Sequence, residues 1–340
     1  MIGLNPGFVT TQGEILSARF NESGYKVISV SASKNRYWRL ADITQTLLAR
    51  KREMDLVVIN VYGGPSFVAE DIASFLAKSY RKPMVFVLRG GAFPDFMARF
   101  PDWTRRVLRR AQTLVAPSQY LARAVAAHGF EAKVIPNIID ISQYPYRPRQ
   151  TVLPRLLWMR AFHPAYNPFM AVRVLARLRQ FRPEATLCMG GQDKGMQADV
   201  ERLASELGVG RAITFPGFLN MEAKFREGNH ADIFLNTNRI DNMPVGIVEA
   251  CAMGLPVVST SVGGIGDLLT NEETGLLVPD DDAEAMTHAI LRLLNDAELA
   301  KSLSENGRGL AEKSSWLRVR PQWETTFQEA INRAAPENEA

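Results

Sequence analysis

LNTNRIDNMPVGIVEACAMGLPVVSTSVGGIGDLL, residues 235–269, is the stretch whose reading decides the fold. A strand ends near Leu235 and a polar loop follows. Pro244 suits the first helical position, because its fixed φ fits and its missing N–H has no partner there. The helix then reads from Val245 to Met253 and stops at Gly254, and Pro256 opens the next strand. This is a strand–helix–strand unit.

The same alternation extends in both directions. Short apolar runs rich in Val, Ile and Leu read as strands: RLLWM (155–159), TLCMG (186–190), AITFPGF (212–218), DIFLN (232–236), PVVST (256–260) and GLLVP (275–279). Helical periodicity fills 168–181, 196–207, 221–229, 244–253 and 283–294 between them. Upstream, KVISV (26–30), DLVVINV (55–61), PMVFVL (83–88) and TLVAPS (113–118) read as strands, with helices at Glu70–Ser79 and Gln119–His128. Strands alternating with helices of this length predict an α/β protein with two doubly wound parallel sheets. Ligands of such sheets bind beyond the carboxyl ends of the strands.

The proline-rich stretch ISQYPYRPRQTVLP (141–154) lacks periodicity and reads as an interdomain linker. The expected domains are therefore 1–145 and 150–318, with a last segment, 319–340, in position to cross back onto the first domain. Ser315–Arg333 reads as a helix broken at Pro321.

Composition narrows the function. The chain has 340 residues, enough for about two domains with real cores, and 46% are hydrophobic, which argues against long disorder. Two cysteines, Cys188 and Cys251, exclude a disulfide scaffold, and four scattered histidines form no metal-ligand pattern. No apolar run is long enough to span a bilayer, and the opening MIGLNPGFVTTQGE lacks the pattern of a secretory leader, so the expected location is cytoplasmic. Charge is divided unevenly. Residues 1–150 carry 21 Lys and Arg against 11 Asp and Glu, a net +10, while 151–340 carry 19 against 25, a net −6. A basic half favours partners bearing phosphate or an anionic membrane surface.

Glu249 sits mid-helix among Ile247, Val248, Ala250 and Ala252. A carboxylate in so apolar a helix needs hydrogen-bonding partners. Asp241 lies in the loop feeding that helix, and Asn242 and Met243 stand where free backbone N–H groups would meet an anion. The plain alternative is that Asp241 caps the helix and Glu249 makes a core hydrogen bond.

The constellation of loop carboxylate, helix N-terminus and helix carboxylate resembles the E-x7-E signature of retaining GT-B glycosyltransferases of the group-1, or family-4, type. Asp241 stands at the first carboxylate, Glu249 at the second, and MGLPVVSTSVGG (253–264) follows as in the family. TLVAPSQYLARAV…VIPNIID (113–140), ADIFLNTN (231–238), GFL (217–219) and the SW at 315–316 add to the resemblance, which spans about residues 80–320.

The resemblance implies two Rossmann-like domains facing an interdomain cleft. It implies a transferase that moves a sugar from a nucleotide-sugar to a cytoplasmic acceptor (lipid-linked glycan, polysaccharide or small molecule), with retention and without a metal or other cofactor. Glu249 would bind ribose hydroxyls and Asp241 sugar hydroxyls, while the amides of Asn242, Met243, Pro244 and Val245 would flank the diphosphate. Phe218 and Leu219 would lie at the base. Arg160, ending the strand RLLWM, matches the arginine of an R-x-x-x-x-K-G motif for the donor diphosphate. Asn167-Pro168 takes the Lys-Gly place, so either Asn167 and its helix N-terminus suffice or Lys194 of GGQDKG reaches in. The plain reading of Lys194 is an exposed loop cation, and that of Asp280–Asp282 is a helix cap rather than a metal site.

On the acceptor side the resemblance points to GFVTTQG (7–13), which ends at Gly13, and to Arg89-Gly90-Gly91. Arg89 stands where relatives carry His and would pair with a phosphate or an acceptor acid. FPDFMARFPDWTRRVLRR (93–110) interleaves aromatics with arginines and suits an interfacial helix on anionic lipid; its alternative is an ordinary helix with aromatics in the core. No nucleic-acid motif accompanies it. The remaining alternatives are a hydrolase or epimerase of the same fold, and a binding or scaffold protein without turnover.

Overall fold

The computed structural model describes residues 10–31, 33 and 35–334. The chain divides into two compact units. One comprises residues up to Ile138 together with Trp316 onward; the other is Ile139–Ser315.

The first unit holds a four-stranded parallel sheet, β1 (Val57–Val61), β2 (Met84–Leu88), β3 (Thr113–Ala116) and β4 (Ala132–Val134), in the order 1-2-3-4. Side chains alternate across a strand, and β2 shows the consequence. Met84, Phe86 and Leu88 join a core with Phe67, Phe93 and Leu121, whereas Val85 and Val87 pack on the other face with Leu16, Phe20, Val319 and Trp323. With helices on both faces, β2 is apolar throughout. The Trp316–Ala334 helix belongs to this unit and runs on through Pro321 rather than breaking there. Leu317, whose carbonyl the proline leaves without its N–H partner, is exposed.

Several expectations need correction. KVISV forms no strand: Tyr25 and Ile28 are exposed and the segment joins no ladder. Five alternating residues read as a strand only if a neighbour offers hydrogen bonds, and none among the described strands does. Of GFVTTQG, residues 7–9 lie outside the described residues. The helix after it begins at Gln12, with Thr11 and Glu14 closing a capping box, so Gly13 falls in the first turn.

Residues 93–110 form two short helices, Phe93–Arg99 and Pro101–Leu108, separated at Phe100 (φ −131, ψ 61). Pro101 pushes the residue before it out of the helical region. Phe93 is buried, and Phe96 and Trp103 pack on Phe67. Arg106 and Arg110 are ion-paired with Asp71, at 2.9 and 2.6 Å. Only Phe100 among the aromatics is exposed, so the stretch presents charge without the apolar face that an interfacial helix needs. No helix among the described residues is long and apolar enough to cross a membrane.

Glu70, in the first turn of the Phe67–Ser79 helix, is buried. Its Oε1 accepts the Tyr62 N–H at 3.0 Å and its Oε2 makes no hydrogen bond within 3.5 Å among the described residues. Burial pushes this carboxyl up to about 7 from a value of 4.5 in open chain. A carboxyl with a raised folded pKa favours the fold most when protonated. Its penalty therefore appears as pH climbs past 4.5 and is complete above 7, reaching roughly 3 kcal/mol. Glu70→Gln keeps an acceptor for Tyr62 and cannot ionise. Urea unfolding should show the variant more stable than wild type at pH 8, with the gap closing by pH 4. An equal gap at both pH values would place the strain elsewhere.

The second unit holds six parallel strands: β5 (Arg155–Met159), β6 (Thr186–Gly190), β7 (Ile213–Gly217), β8 (Ile233–Asn236), β9 (Val257–Thr260) and β10 (Leu276–Val278). Their order is 10-9-8-5-6-7. The 141–154 stretch is not a linker between units. It belongs wholly to this unit, with Tyr144, Arg149 and Val152 buried. Its arginines lie at helix carboxyl ends. Arg149 donates to the carbonyls of Arg147 and Gly228 (both 2.6 Å), Ala231 (3.0 Å) and Met253, and Arg147 donates to those of Asn229 and Ala231 (both 2.9 Å). Cations are favoured at these positions, where carbonyls lack intrahelical partners.

Candidate active site

In the second sheet the strand order reverses between β5 and β8, the neighbours from which the chain winds outward in both directions. A crevice forms beyond the carboxyl ends of such a pair. Arg160 follows β5 directly and residues 237–241 follow β8, so the topology alone brings them together. Arg160 Nη2 and Asp241 Oδ2 form an ion pair, each side chain less than a fifth exposed. The guanidinium lies over the Tyr166 ring, 4.8 Å from its centroid.

Asp241 is held from several sides. Its Oδ2 also accepts Asn238 Nδ2 at 2.8 Å, its Oδ1 accepts the Asn242 N–H at 2.7 Å, and its carbonyl accepts the Gly264 N–H at 2.9 Å. Gly263, at φ +54, presses against that same carbonyl so closely that a Cβ there would overlap it. Beneath the loop, Trp158 Nε1 donates to Thr237 Oγ1 at 2.9 Å, Thr237 Oγ1 to the Tyr166 carbonyl at 2.8 Å, and Thr260 Oγ1 to the Asn238 carbonyl at 2.6 Å. Asn236, Thr237 and Asn238 are all buried. Three consecutive polar residues closing an apolar strand were the sequence signal for this scaffold.

Glu249 is buried in the Val245–Ala252 helix, and the partners its burial requires are Tyr144 and Lys224. Their OH and Nζ both donate to Oε1, at 2.8 and 2.6 Å, and Oε2 makes no hydrogen bond among the described residues. Burial, and then the neighbouring Glu249 charge, push the Tyr144 phenol up. The helix begins at Val245, with Pro244 as its cap rather than its first residue, and no side chain caps it. Its first-turn N–H groups therefore point out of the helix beside buried Asn242 and Met243.

Residues 149–310 match the family described as "Glycosyl transferases group 1", and residues 10–143 match "Glycosyltransferase Family 4". Each match covers less than half of the chain, and together they make it similar to the group 1 and family 4 glycosyltransferases over both units. It is 24% identical over 297 residues to the exopolysaccharide phosphotransferase SCO2592 of Streptomyces coelicolor, covering 86% of this chain and 30% of that protein. It is 31% identical over 163 residues to the GDP-mannose-dependent alpha-(1-6)-phosphatidylinositol monomannoside mannosyltransferase of Mycolicibacterium smegmatis, covering 46% of this chain and 41% of that one. It thus spans less than half the length of these curated relatives. Anabaena Alr3699/HepE in complex with UDP-glucose shares its GT-B fold, with a TM-score of 0.72, 18% identity and coverage of 92% of this chain and 89% of that one.

The other expected donor residues fare differently. Asn167, left-handed at φ 46 and buried, gives its amide to Asp281 Oδ1 at 2.8 Å. Asp281 also collects Arg173 (2.8 Å) and Arg239 (3.0 Å). The Asn167 amide and both arginines hold that carboxyl below its ordinary range. Asn167 is therefore tied to Asp281 through one of its two amide hydrogens, and Asp281 is more than a solvated neighbour of the cap. Asp282 caps the next helix, accepting the Ala285 N–H at 2.8 Å.

Lys194 is exposed in the turn after β6, next to Asp193, whose Oδ1 accepts the N–H groups of Gly195, Met196 and Gln197. Leu219, beyond β7, is buried against Gly190, and Phe218 is half-buried. Among the described residues no three His, Cys, Asp or Glu side chains are grouped to hold a metal ion.

In the first unit Arg89 closes β2 and is buried, with Nε donating to Asn60 Oδ1 at 3.1 Å and Nη1 to Asn137 Oδ1 at 2.7 Å. Gly90 follows at φ +77, a conformation that favours glycine. At Gly13 a Cβ would stand 3.0 Å from Asn60 Nδ2, so glycine lets the first helical turn approach that amide.

Proposed function

We propose that the chain transfers a sugar from a nucleotide-sugar to a hydroxyl-bearing glycan, lipid-linked or small-molecule acceptor, with retention of configuration. The observation that carries this is the pair Arg160 and Asp241 at the strand-order reversal, beside a helix N-terminus with no side-chain cap. Arg160 and the N-terminus of the Val245–Ala252 helix receive the donor diphosphate, but the Asn242 N–H is already given to Asp241 Oδ1 and Pro244 has none to give; Asp241 receives sugar hydroxyls. Glu249 offers Oε2 to the ribose while Tyr144 and Lys224 fix Oε1. Phe218 and Leu219 lie toward the base. UDP-glucose, bound by the Anabaena protein of like fold, is the first donor to try.

Departure of the nucleoside diphosphate builds negative charge, which Arg160 and oriented N–H dipoles stabilise without rearrangement. The sugar becomes oxocarbenium-like, and the Asp241 carboxylate, released from Arg160 as the diphosphate takes that cation, favours the positive charge. No metal is required by this scheme, and the nucleotide-sugar is a co-substrate rather than a bound cofactor.

Arg160→Ala should weaken UDP binding by roughly 1.5–3 kcal/mol, about 10- to 150-fold, the range for hydrogen bonds to charged groups. Uridine, lacking phosphate, should lose less than about twofold. Calorimetry with both ligands checks this. Equal loss for both would mean Arg160 holds the fold and not the phosphate. Turnover of nucleotide-sugar with and without acceptor then separates transfer from hydrolysis.

A further inference from the structure

Buried arginines normally meet a carboxylate, because a lone charge in the interior is costly. Arg149 in the second unit follows that rule, with four carbonyls and Asp232 around it. Arg89 does not. It is 8% exposed and forms no ion pair among the described residues, and its partners are two neutral amide oxygens. Those amides fix the plane of the guanidinium but supply no countercharge, and Nη2 makes no hydrogen bond among the described residues.

No carboxylate among the described residues pairs with Arg89. Glu14 accepts the Thr11 N–H at 2.6 Å in the capping box, and Glu70 accepts the Tyr62 N–H. Burial accordingly pulls the Arg89 guanidinium down to about 10.

The location is a ligand position. Arg89 and Asn60 lie at the carboxyl ends of β2 and β1, where open α/β sheets bind ligands. Glycines flank the place: Gly13 where the first helix meets Asn60, and Gly90 beside Arg89 itself. A pre-oriented fork without a countercharge matches the planar, two-point recognition of phosphate or carboxylate.

We propose that Arg89, held by Asn60 and Asn137, is the centre of an oxyanion site in the first unit that takes a phosphate or carboxylate group of a substrate. The site is read from the first unit alone; only the source of the anion, acceptor or donor diphosphate, rests on the transferase reading.

The test is thermal unfolding of the full chain in increasing inorganic phosphate, against chloride at equal ionic strength. Wild type should gain several degrees from phosphate, Arg89→Gln should lose the Arg89-dependent part of that gain, and Arg89→Lys should need about tenfold more phosphate for half the effect. Should Arg89→Gln not fold, Arg89→Lys carries the comparison through its shifted titration. Repeating both in saturating UDP distinguishes the sources: a response that persists assigns the site to an acidic acceptor, and one that UDP abolishes assigns it to the donor diphosphate. Superimposable phosphate titrations for wild type and variants overturn the proposal. A protein that binds no nucleoside diphosphate, whatever its base, but keeps the Arg89-dependent response would refute the transferase reading and leave the anion site standing.

Discussion

Gly191→Ala should lower kcat/KM by about two orders of magnitude while leaving most of the protein folded. Gly191 follows β6, and its neighbour across the sheet is the backbone of Arg160 at the end of β5. A Cβ at Gly191 would overlap the Arg160 carbonyl, so the two strand ends have to part by more than an ångström. Backbone atoms on both sides leave no flexible side chain to give way. The displaced element is the one that carries the proposed diphosphate ligand, and misplacement by about 1 Å of a positioning group costs on the order of a hundredfold. UDP affinity should fall in parallel, because Arg160 leaves its seat over Tyr166. Gly309→Ala is the control: nothing lies within 4 Å of its Cβ in the Ala297–Glu312 helix, and alanine there should stabilise slightly. Calorimetry and steady-state kinetics on both variants decide it. Unchanged UDP binding in Gly191→Ala would show that Arg160 does not need its present position.

The strands of the second unit were legible because a parallel sheet covered on both faces needs near-continuous apolar runs. RLLWM, TLCMG, DIFLN and PVVST each coincide with a strand to within a residue. KVISV shows the limit of that signal, since pattern without a pairing neighbour produces no ladder. The three residues of β4, with Lys133 at the centre, are too short and mixed to stand out. The amphipathic helix over Ala297–Glu312 lies beyond the last strand, where alternation no longer calls for one.

At the site, Asp241, Glu249 and Arg160 could be named because each sits at a fixed offset from a strand or helix end. Their partners could not. Tyr144 is 105 residues from Glu249 and Lys224 is 25 away, and no spacing rule joins them. Asn167 hides its partner in the same way: it lies just after β5, and its amide turns to Asp281, 114 residues on. Charge met from a distant segment is what a single sequence hides.

The proline-rich 141–154 stretch hides the largest such contact, and it sets the second large effect. Arg149→Ala should destabilise the second unit by about 3–5 kcal/mol, the cost of removing one member of a buried charged network. The side chain is 1% exposed and bridges the carboxyl ends of two helices, Met221–His230 and Val245–Ala252, through Gly228, Ala231 and Met253. Without it the Gly228 carbonyl loses its arginine donor, while Ala231 and Met253 keep Arg147, and a cavity of arginine size opens between the helices. Asp232, 2% exposed, keeps Arg147 at 3.0 Å and Arg155 at 2.7 Å, so its charge is not stranded. The loss therefore comes mainly from lost packing, with a smaller part from the Gly228 carbonyl. Arg149→Lys should recover only part of it, because one ammonium cannot reach both helix ends as the fork does.

The consequence extends to the site, since the Val245–Ala252 helix carries Glu249 and presents its N-terminus beside Asp241. Urea unfolding should show a lower midpoint for Arg149→Ala, with Arg149→Lys between it and wild type. UDP affinity in the still-folded variant should fall by a smaller factor than for Arg160→Ala. A midpoint within about 0.5 kcal/mol of wild type, the scale of an ordinary surface change, would return this stretch to the role of a connector.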